Sequence, residues 1–245
     1  MSESLPLPLS YWESLRRLAE PLELMKFTLI YDGDLPSNGS RAMYAGLIRN
    51  ELHDQLADLW DSSVILRQLA RTARTTPLHL GGGFFGGGPP TFSSTQLPDY
   101  MGPIPPLMEG QTDLCAPISR PAISCAFKPL IRHSLYLGCH IDILFLRHDE
   151  PFNLMKAGGD LDNRIKTLFD GLRMPDEVSE QGSVVPTADP LCVLLQDDAL
   201  ISGFSVKTAK LLGGSEKQKH RVRLTMDVTV KVLRFFPQNQ CLIGD

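Results

Sequence analysis

The clearest alternation lies near the C-terminal end of the chain. In residues 221–233, RVRLTMDVTVKVL, the apolar set is Val222, Leu224, Met226, Val228, Val230 and Val232. Arg221, Arg223, Thr225, Asp227, Thr229 and Lys231 interleave with it. A period of two sends successive side chains to opposite faces, so this pattern predicts a strand with one buried face. Residues 133–146 repeat it with Leu135, Leu137, Cys139, Ile141, Ile143 and Phe145. "LCVLLQ" at 191–196 is instead a short continuous apolar run, as expected of a strand covered on both faces. Two further strands are expected at 26–31 and 200–208, the first ending in the turn-rich "YDGDLPSNG".

Helical spacing appears in three places. Between Ser40 and Trp60, Ile48, Leu52, Leu56 and Leu59 recur at steps of four, four and three. A second helix is expected over 61–72. In 158–172, GGDLDNRIKTLFDGL, Leu161, Ile165, Leu168 and Leu172 fall at i, i+4, i+7 and i+11, giving one packing side. Strand, helix, long strand, helix and three more strands indicate an α+β fold, a mixed β-sheet with helices packed on one face. Residues 26–245 read as a single domain. Residues 1–25 read as an N-terminal extension in which Trp12, Leu15 and Leu18 could line a short docking helix. Residues 73–127 contain "LGGGFFGGGPP" and "PDYMGPIPPLMEG" and read as a long Gly/Pro-rich insertion. Its glycines lead into Gly-Pro-Pro and lack the G-K-[ST] ending of a phosphate-cradling loop, which excludes that reading.

Composition changes this picture little. Of 245 residues, 42% are hydrophobic and 21% charged, the balance of a soluble globular protein. No apolar run is long enough to span a bilayer, and the N-terminus lacks the basic and apolar regions of a secretory signal, so a cytoplasmic protein without membrane contact is expected. The five cysteines, Cys115, Cys125, Cys139, Cys192 and Cys241, form no C-x-x-C pair and read as reduced thiols. The six histidines show no zinc-hydrolase spacing, and no G-x-S-x-G elbow is present.

Charge matters more locally. The net charge is −4, which argues against a surface that is basic throughout. Lys207, Lys210, Lys217, Lys219, Arg221 and Arg223 nevertheless lie close together with Glu216 as the one acid among them. They are either a solvated hairpin end or a nucleic-acid-binding patch that contacts phosphates. The first turn of the 158–172 helix carries Asp160, Asp162 and Asn163, and Lys166 lies one turn on. Acids at a helix start satisfy free N–H groups and suit its dipole, and Lys166 can pair with Asp162 and Asp170. Asp197 and Asp198 alter the weighing, because two adjacent acids at the end of a buried strand need solvent, a cation or donors. If strand end and helix start open onto one edge, Asp160, Asp162 and one of Asp197 or Asp198 converge. Clustered carboxylates suit Mg²⁺, with Mn²⁺ a plausible substitute, and Lys166 would then face a phosphate.

Two stretches resemble the RusA-like Holliday junction resolvases: "DLDNRIKTLFDGL" at 160–172 and "LLQDDALISGFSVKTAK" at 194–210. Asp160, Asp162, Asn163, Lys166, Asp170 and Leu172 fall in register with that family's D-x-D-N, Lys and F-D-x-L series. Asp197, Asp198, Ile201 and Lys207 fit its D-D-x-x-[IV] and downstream Lys. The resemblance implies an Mg²⁺-dependent endonuclease acting on branched DNA as a homodimer. It implies Asp160, Asp162 and Asp198 as catalytic metal ligands, Lys166 as a catalytic assistant, and leaves Asp197 open as a further ligand. The chain also departs from the family pattern. It carries the two additions at 1–25 and 73–127, and the segment after Pro36-Ser37-Asn38 runs into the acidic "NELHDQLADLW". These features motivate the alternative of a partner-dependent, non-catalytic subunit on the same fold, with a protein partner engaged through 73–127.

Overall fold

The computed structural model describes residues 22–36, 40–75, 113–148, 160–212 and 221–233; the side chains of 22–24, 71–75 and 160 are outside that description. Residues 1–21 of the expected extension, most of the 73–127 insertion, Ser37-Asn38, Lys217, Lys219 and Cys241 therefore lie outside the described residues, whereas 22–25 belong to the first strand and not to an extension.

Six strands and four helices are described: β1 (Leu22–Asp34), α1 (Arg41–Ser62), α2 (Val64–Thr75), β2 (Phe127–Ile131), β3 (Leu137–Arg147), α3 (Asp160–Leu172), α4 (Val178–Gln181), β4 (Leu191–Leu195), β5 (Ile201–Lys210) and β6 (Arg221–Val232). The fold is mixed α+β. The larger sheet has the order β1-β6-β3-β5. Its β1–β6 and β6–β3 pairs are antiparallel and its β3–β5 pair is parallel, which makes it mixed. The alternation of β6 is realised as read: Val222, Leu224, Met226, Val228, Val230 and Val232 are all buried. Leu137, Cys139, Ile141, Ile143 and Phe145 of β3 line the same face, each row set by the register Ile141↔Val228. At the β1 edge, Gln55 of α1 accepts from the Ile30 N–H at 2.9 Å and donates to its carbonyl at 2.7 Å. That pairing occupies backbone groups which an edge strand otherwise presents unpaired.

β4 does not join this sheet. It pairs in parallel with β2 in a second, two-stranded sheet. Leu191 and Val193 face a small cluster with Cys125, Phe127 and Met174, whereas Cys192, Leu194 and Leu195 face the main core. Burial on both sides is the physical origin of the unbroken apolar run. β2 was not anticipated. It is short, carries Pro129, and lies where the sequence pattern turns from insertion to strand. Residues 113–126 are irregular, yet Leu114, Cys115 and Cys125 are buried, so this end of the expected insertion belongs to the packed body.

α1 begins at Ser40, whose hydroxyl accepts from Met43 N–H as an N-cap. Its buried stripe is Ala45, Ile48, Arg49, Leu52, Leu56 and Trp60. The stripe packs on α3, where Ile165, Leu168 and Leu172 are buried. Close approach centres on Gly171, where an added Cβ would lie 2.7 Å from Ile48 Cβ and Cγ2.

Candidate active site

α3 starts at Asp160, so the chain turns helical at the first acid of the series. The Asp160 side chain lies outside the described residues. Asp162, within the first turn, is 63% exposed and accepts a 2.7 Å hydrogen bond from Lys166 Nζ, itself 55% exposed. An acid four residues N-terminal to a lysine is the favoured orientation, worth a few tenths of a kcal/mol (~0.2–0.5) on a solvated face. The ion pair read from the sequence is thus present. Its expected second partner is not: Asp170 is held by Arg41 at 2.5 Å and approached by Arg173 at 3.5 Å.

The other acids sit where β4 leaves the core. The Leu195 carbonyl accepts from Met174 N–H at 2.9 Å, which brings the end of α3 beside the end of β4. The next residues form a short 3₁₀ turn, Asp198–Leu200, packed on α3. Asp197 caps that turn by accepting from Ala199 N–H at 2.8 Å. Its Oδ2 lies 3.9 Å from His133 Nε2, and His133 N–H is fixed by Gln196 Oε1 at 3.0 Å. The two neighbours titrate in opposite senses. The Ala199 hydrogen bond, helped by Asp198 and His133, holds the Asp197 carboxyl low. Partial burial and then the hydrogen bond shared with Asp197 push Asp198 up, and Arg173 only partly offsets this. Two carboxyls crowded at one site disfavour joint ionisation, which splits them in this way.

The charges that act most on Asp198 are therefore Arg173, Asp197 and Asp170, all at the far end of α3 from its start. Eight residues separate Asp162 from Asp170, roughly 12 Å along a helix axis. Asp197 and Asp198 are brought together with each other and with Asp170 and Arg173. No hydrogen bond or ion pair joins Asp162 to them among the described residues, and no group of three or more His, Cys, Asp or Glu side chains there is arranged to hold a metal ion.

Arg173 was not singled out from the sequence. It pairs with Glu180 at 2.8 Å and Asp176 at 3.2 Å as well as Asp170. Burial alone would lower its pKa; the hydrogen bond to Glu180 and the three acids raise it instead. Beneath it lies Arg49, only 3% exposed. The Arg49 guanidinium donates to the main-chain carbonyls of Asp170 (2.6 Å), Arg173 (2.9 Å) and Glu180 (3.2 Å). A cation there satisfies carbonyls that the end of α3 leaves without helical partners. Burial pushes its pKa down to about 10, still well above neutral, so the group is charged. A sequence signal existed: Arg49 falls at i+4 from Ala45 and three before Leu52, inside the apolar stripe.

The basic residues are dispersed. Lys207 is exposed on β5, and Lys210 ends that strand. Arg221 and Arg223 project from the solvent face of β6 and both bind Asp32 of β1. Two of the four described basic residues of the patch thus share one carboxylate, which the sequence could not reveal without the pairing of residues 189 and 191 apart. On the same face His140 Nε2 lies 3.3 Å from Asp142 Oδ1, which also accepts from Ser205 Oγ at 2.5 Å. These bonds, Ser205 first, hold Asp142 low. His53 Nδ1 accepts from Cys192 N–H at 3.0 Å, a structural role.

The four described cysteines are buried free thiols. No described helix is long and apolar enough to cross a membrane. Among protein-family models, curated proteins and solved structures, none matches this chain.

Proposed function

We propose that the chain is a Mg²⁺-dependent endonuclease of RusA-like type that hydrolyses phosphodiester bonds in branched or structured DNA, as in Holliday junction resolution, and acts as a homodimer. The observation that carries this reading is the ordered acid series. A helix opens on D-x-D-N, and a strand buried on both faces ends at D-D, with the turn that follows packed on that same helix. Two residues past the end of that strand, Asp197 and Asp198 crowd each other enough to hold one carboxyl low and push the other up, and a cation would relieve that repulsion.

The donor set is all carboxylate oxygen, which fits a hard divalent ion that retains waters. The acid series assigns Asp160, Asp162 and Asp198, with Asp197 as a further ligand, to Mg²⁺ or Mn²⁺; in this structure Asp162 and Asp198 lie toward opposite ends of α3, so holding one ion would require the D-D turn and the start of α3 to approach each other. Bound there, the ion supplies a more acidic water and neutralises charge developing at phosphorus. Asp162 and Asp198 are exposed and reachable by a polyanionic substrate. Lys166, released from Asp162, offers a point charge to a phosphate oxygen. The N-terminal end of α3 favours the same group through its free N–H donors. Purified full-length protein is expected to nick a four-way DNA junction only with Mg²⁺ or Mn²⁺. Loss of nicking in Asp198→Asn, with the fold intact, is the expected control.

A second reading has one specific observation in its favour. Arg221 and Arg223 are both engaged by Asp32, which cancels one of the two charges they bring to the expected DNA patch. A partner-dependent subunit, engaged through 73–127, would need less DNA affinity of its own. Co-purification of an undigesting, non-binding protein with a partner, lost on deleting that segment, would favour it.

A further inference from the structure

We propose that Arg221 and Arg223 form a preformed site for a nucleic-acid backbone phosphate, and that Asp32 occupies it as an intramolecular competitor. The inference deepens the nucleic-acid reading of the basic patch and rests on it. Arg221 Nε donates to Asp32 Oδ1 at 2.9 Å. Arg223 donates to Oδ2 through Nε at 2.9 Å and Nη2 at 2.5 Å. Each carboxylate oxygen therefore has its own guanidinium. Planar guanidinium groups grip two oxygens of a phosphate in the same way.

Strand register builds this arrangement. Asp32 lies opposite Arg223 and Asp34 opposite Arg221 across β1–β6. Asp34 adds a second negative charge near Arg221. The hydrogen bonds from Arg221 and Arg223 hold the Asp32 carboxyl well below its ordinary range, so it is anionic wherever the protein is folded at neutral pH. The arginines are not sealed in. Their side chains are 43% and 52% exposed, so a polyanion reaches them from solvent. Exposed ion pairs are weak and yield to a ligand that makes several contacts at once. Lys207 extends the positive surface along the same face. It lies opposite Leu144 while Arg223 lies opposite Leu146, two strands and one row away, about 12 Å at ordinary strand spacing.

The tethered carboxylate has a measurable signature. A cationic side chain that neutralises a phosphate releases a counterion condensed on the DNA, and each charge so neutralised steepens the salt dependence by about 0.9. Asp32 cancels one of the two guanidinium charges, so the fork of the unmodified protein neutralises about one phosphate charge, whereas after Asp32 is neutralised it neutralises about two. The slope of log K against log salt should steepen by about 0.9, so raising salt from about 50 to about 200 mM costs the variant roughly 3.5-fold more affinity than the unmodified chain.

The test is fluorescence anisotropy with a labelled DNA four-way junction and a matched duplex, on the full chain in EDTA. Asp32→Asn and Asp32→Ala, both verified as folded by circular dichroism, should bind at least tenfold more tightly at the lowest salt and show the steeper slope. Neither gain should appear when Arg221→Gln and Arg223→Gln are added. An unchanged slope overturns the proposal. So does an equal gain in the double-glutamine background, which would reflect net charge alone, or the absence of binding by either Asp32 variant. Metal is omitted, so cleavage is not at stake: a protein that never cuts DNA can still show the effect, and one that cuts without it retains the nuclease reading and loses this one.

Discussion

Replacing Arg49 with methionine removes a charge but nearly preserves volume, and its consequence follows from three hydrogen bonds. The guanidinium is almost fully buried and donates to the carbonyls of Asp170, Arg173 and Glu180. Removing it leaves three partly buried acceptors without their donor, each costing up to about 1–3 kcal/mol where water does not replace it. Against that stands the desolvation cost of the buried cation, which the lowered pKa reflects and which methionine no longer incurs. Water entry to the 173–180 loop offsets part of the remainder. The net expectation is a loss of about 3–5 kcal/mol, the range found when one partner of a buried charged network is deleted. For a chain of this size that corresponds to a fall in Tm of roughly 6–20 °C. Arg49→Lys keeps the charge but cannot span three carbonyls, so its loss should be intermediate. Urea unfolding followed by circular dichroism measures both. A methionine variant within about 0.5 kcal/mol of the unmodified protein, the scatter of neutral surface substitutions, would refute the argument that Arg49 caps α3 and holds the following loop.

Gly171→Ala should destabilise by about 1–3 kcal/mol through overpacking against Ile48, despite alanine's better helix propensity; Ile48→Ala in the same chain should recover part of that loss, and purely additive unfolding energies would contradict the contact. Asp32 has a lowered pKa, so its contribution is present above the unfolded aspartate value of about 4 and disappears as pH falls through the lower folded value. Urea midpoints of Asp32→Asn and the unmodified chain should hence differ at pH 7 and draw together as pH falls below the ordinary aspartate range; a difference that does not shrink in acid points to a cause other than the arginine clamp. Asp198 has the opposite sign: its raised pKa means that ionisation above the folded value opposes folding. Asp198→Asn should raise the neutral-pH melting temperature slightly, by the few tenths of a kcal/mol (~0.2–0.5) that an exposed pair retains after screening, while abolishing nicking; a lowered melting temperature would contradict the like-charge account.

What the sequence disclosed follows from what periodicity can carry. β6 and β3 were legible because one buried face forces strict alternation over ten or more residues. β4 was legible as a doubly buried run, but its pairing was not, since nothing in LCVLL says whether its neighbour is β2 or the larger sheet. β2 escaped because Pro129 interrupts five residues that are otherwise too few for a period. The acid motif and the Asp162–Lys166 pair were readable because they are local. Three further arrangements depend on contacts that only the fold creates: Asp32 with Arg221 and Arg223, Arg41 with Asp170, and Arg49 under the 173–180 loop. Charged residues of this kind enter a sequence reading as solvated faces. Arg49 and Arg164, both buried, show how that default fails when main-chain carbonyls are the partners.

The most direct test of the central proposal is a nicking assay on a four-way DNA junction with the full chain, in Mg²⁺ and in EDTA, alongside Asp160→Asn and Asp198→Asn variants that melt cooperatively. The proposal predicts Mg²⁺-dependent nicks from the unmodified protein and at least a hundredfold loss, about 2.7 kcal/mol of transition-state stabilisation, in each variant. No Mg²⁺-dependent cleavage, or cleavage that survives both substitutions, would contradict it.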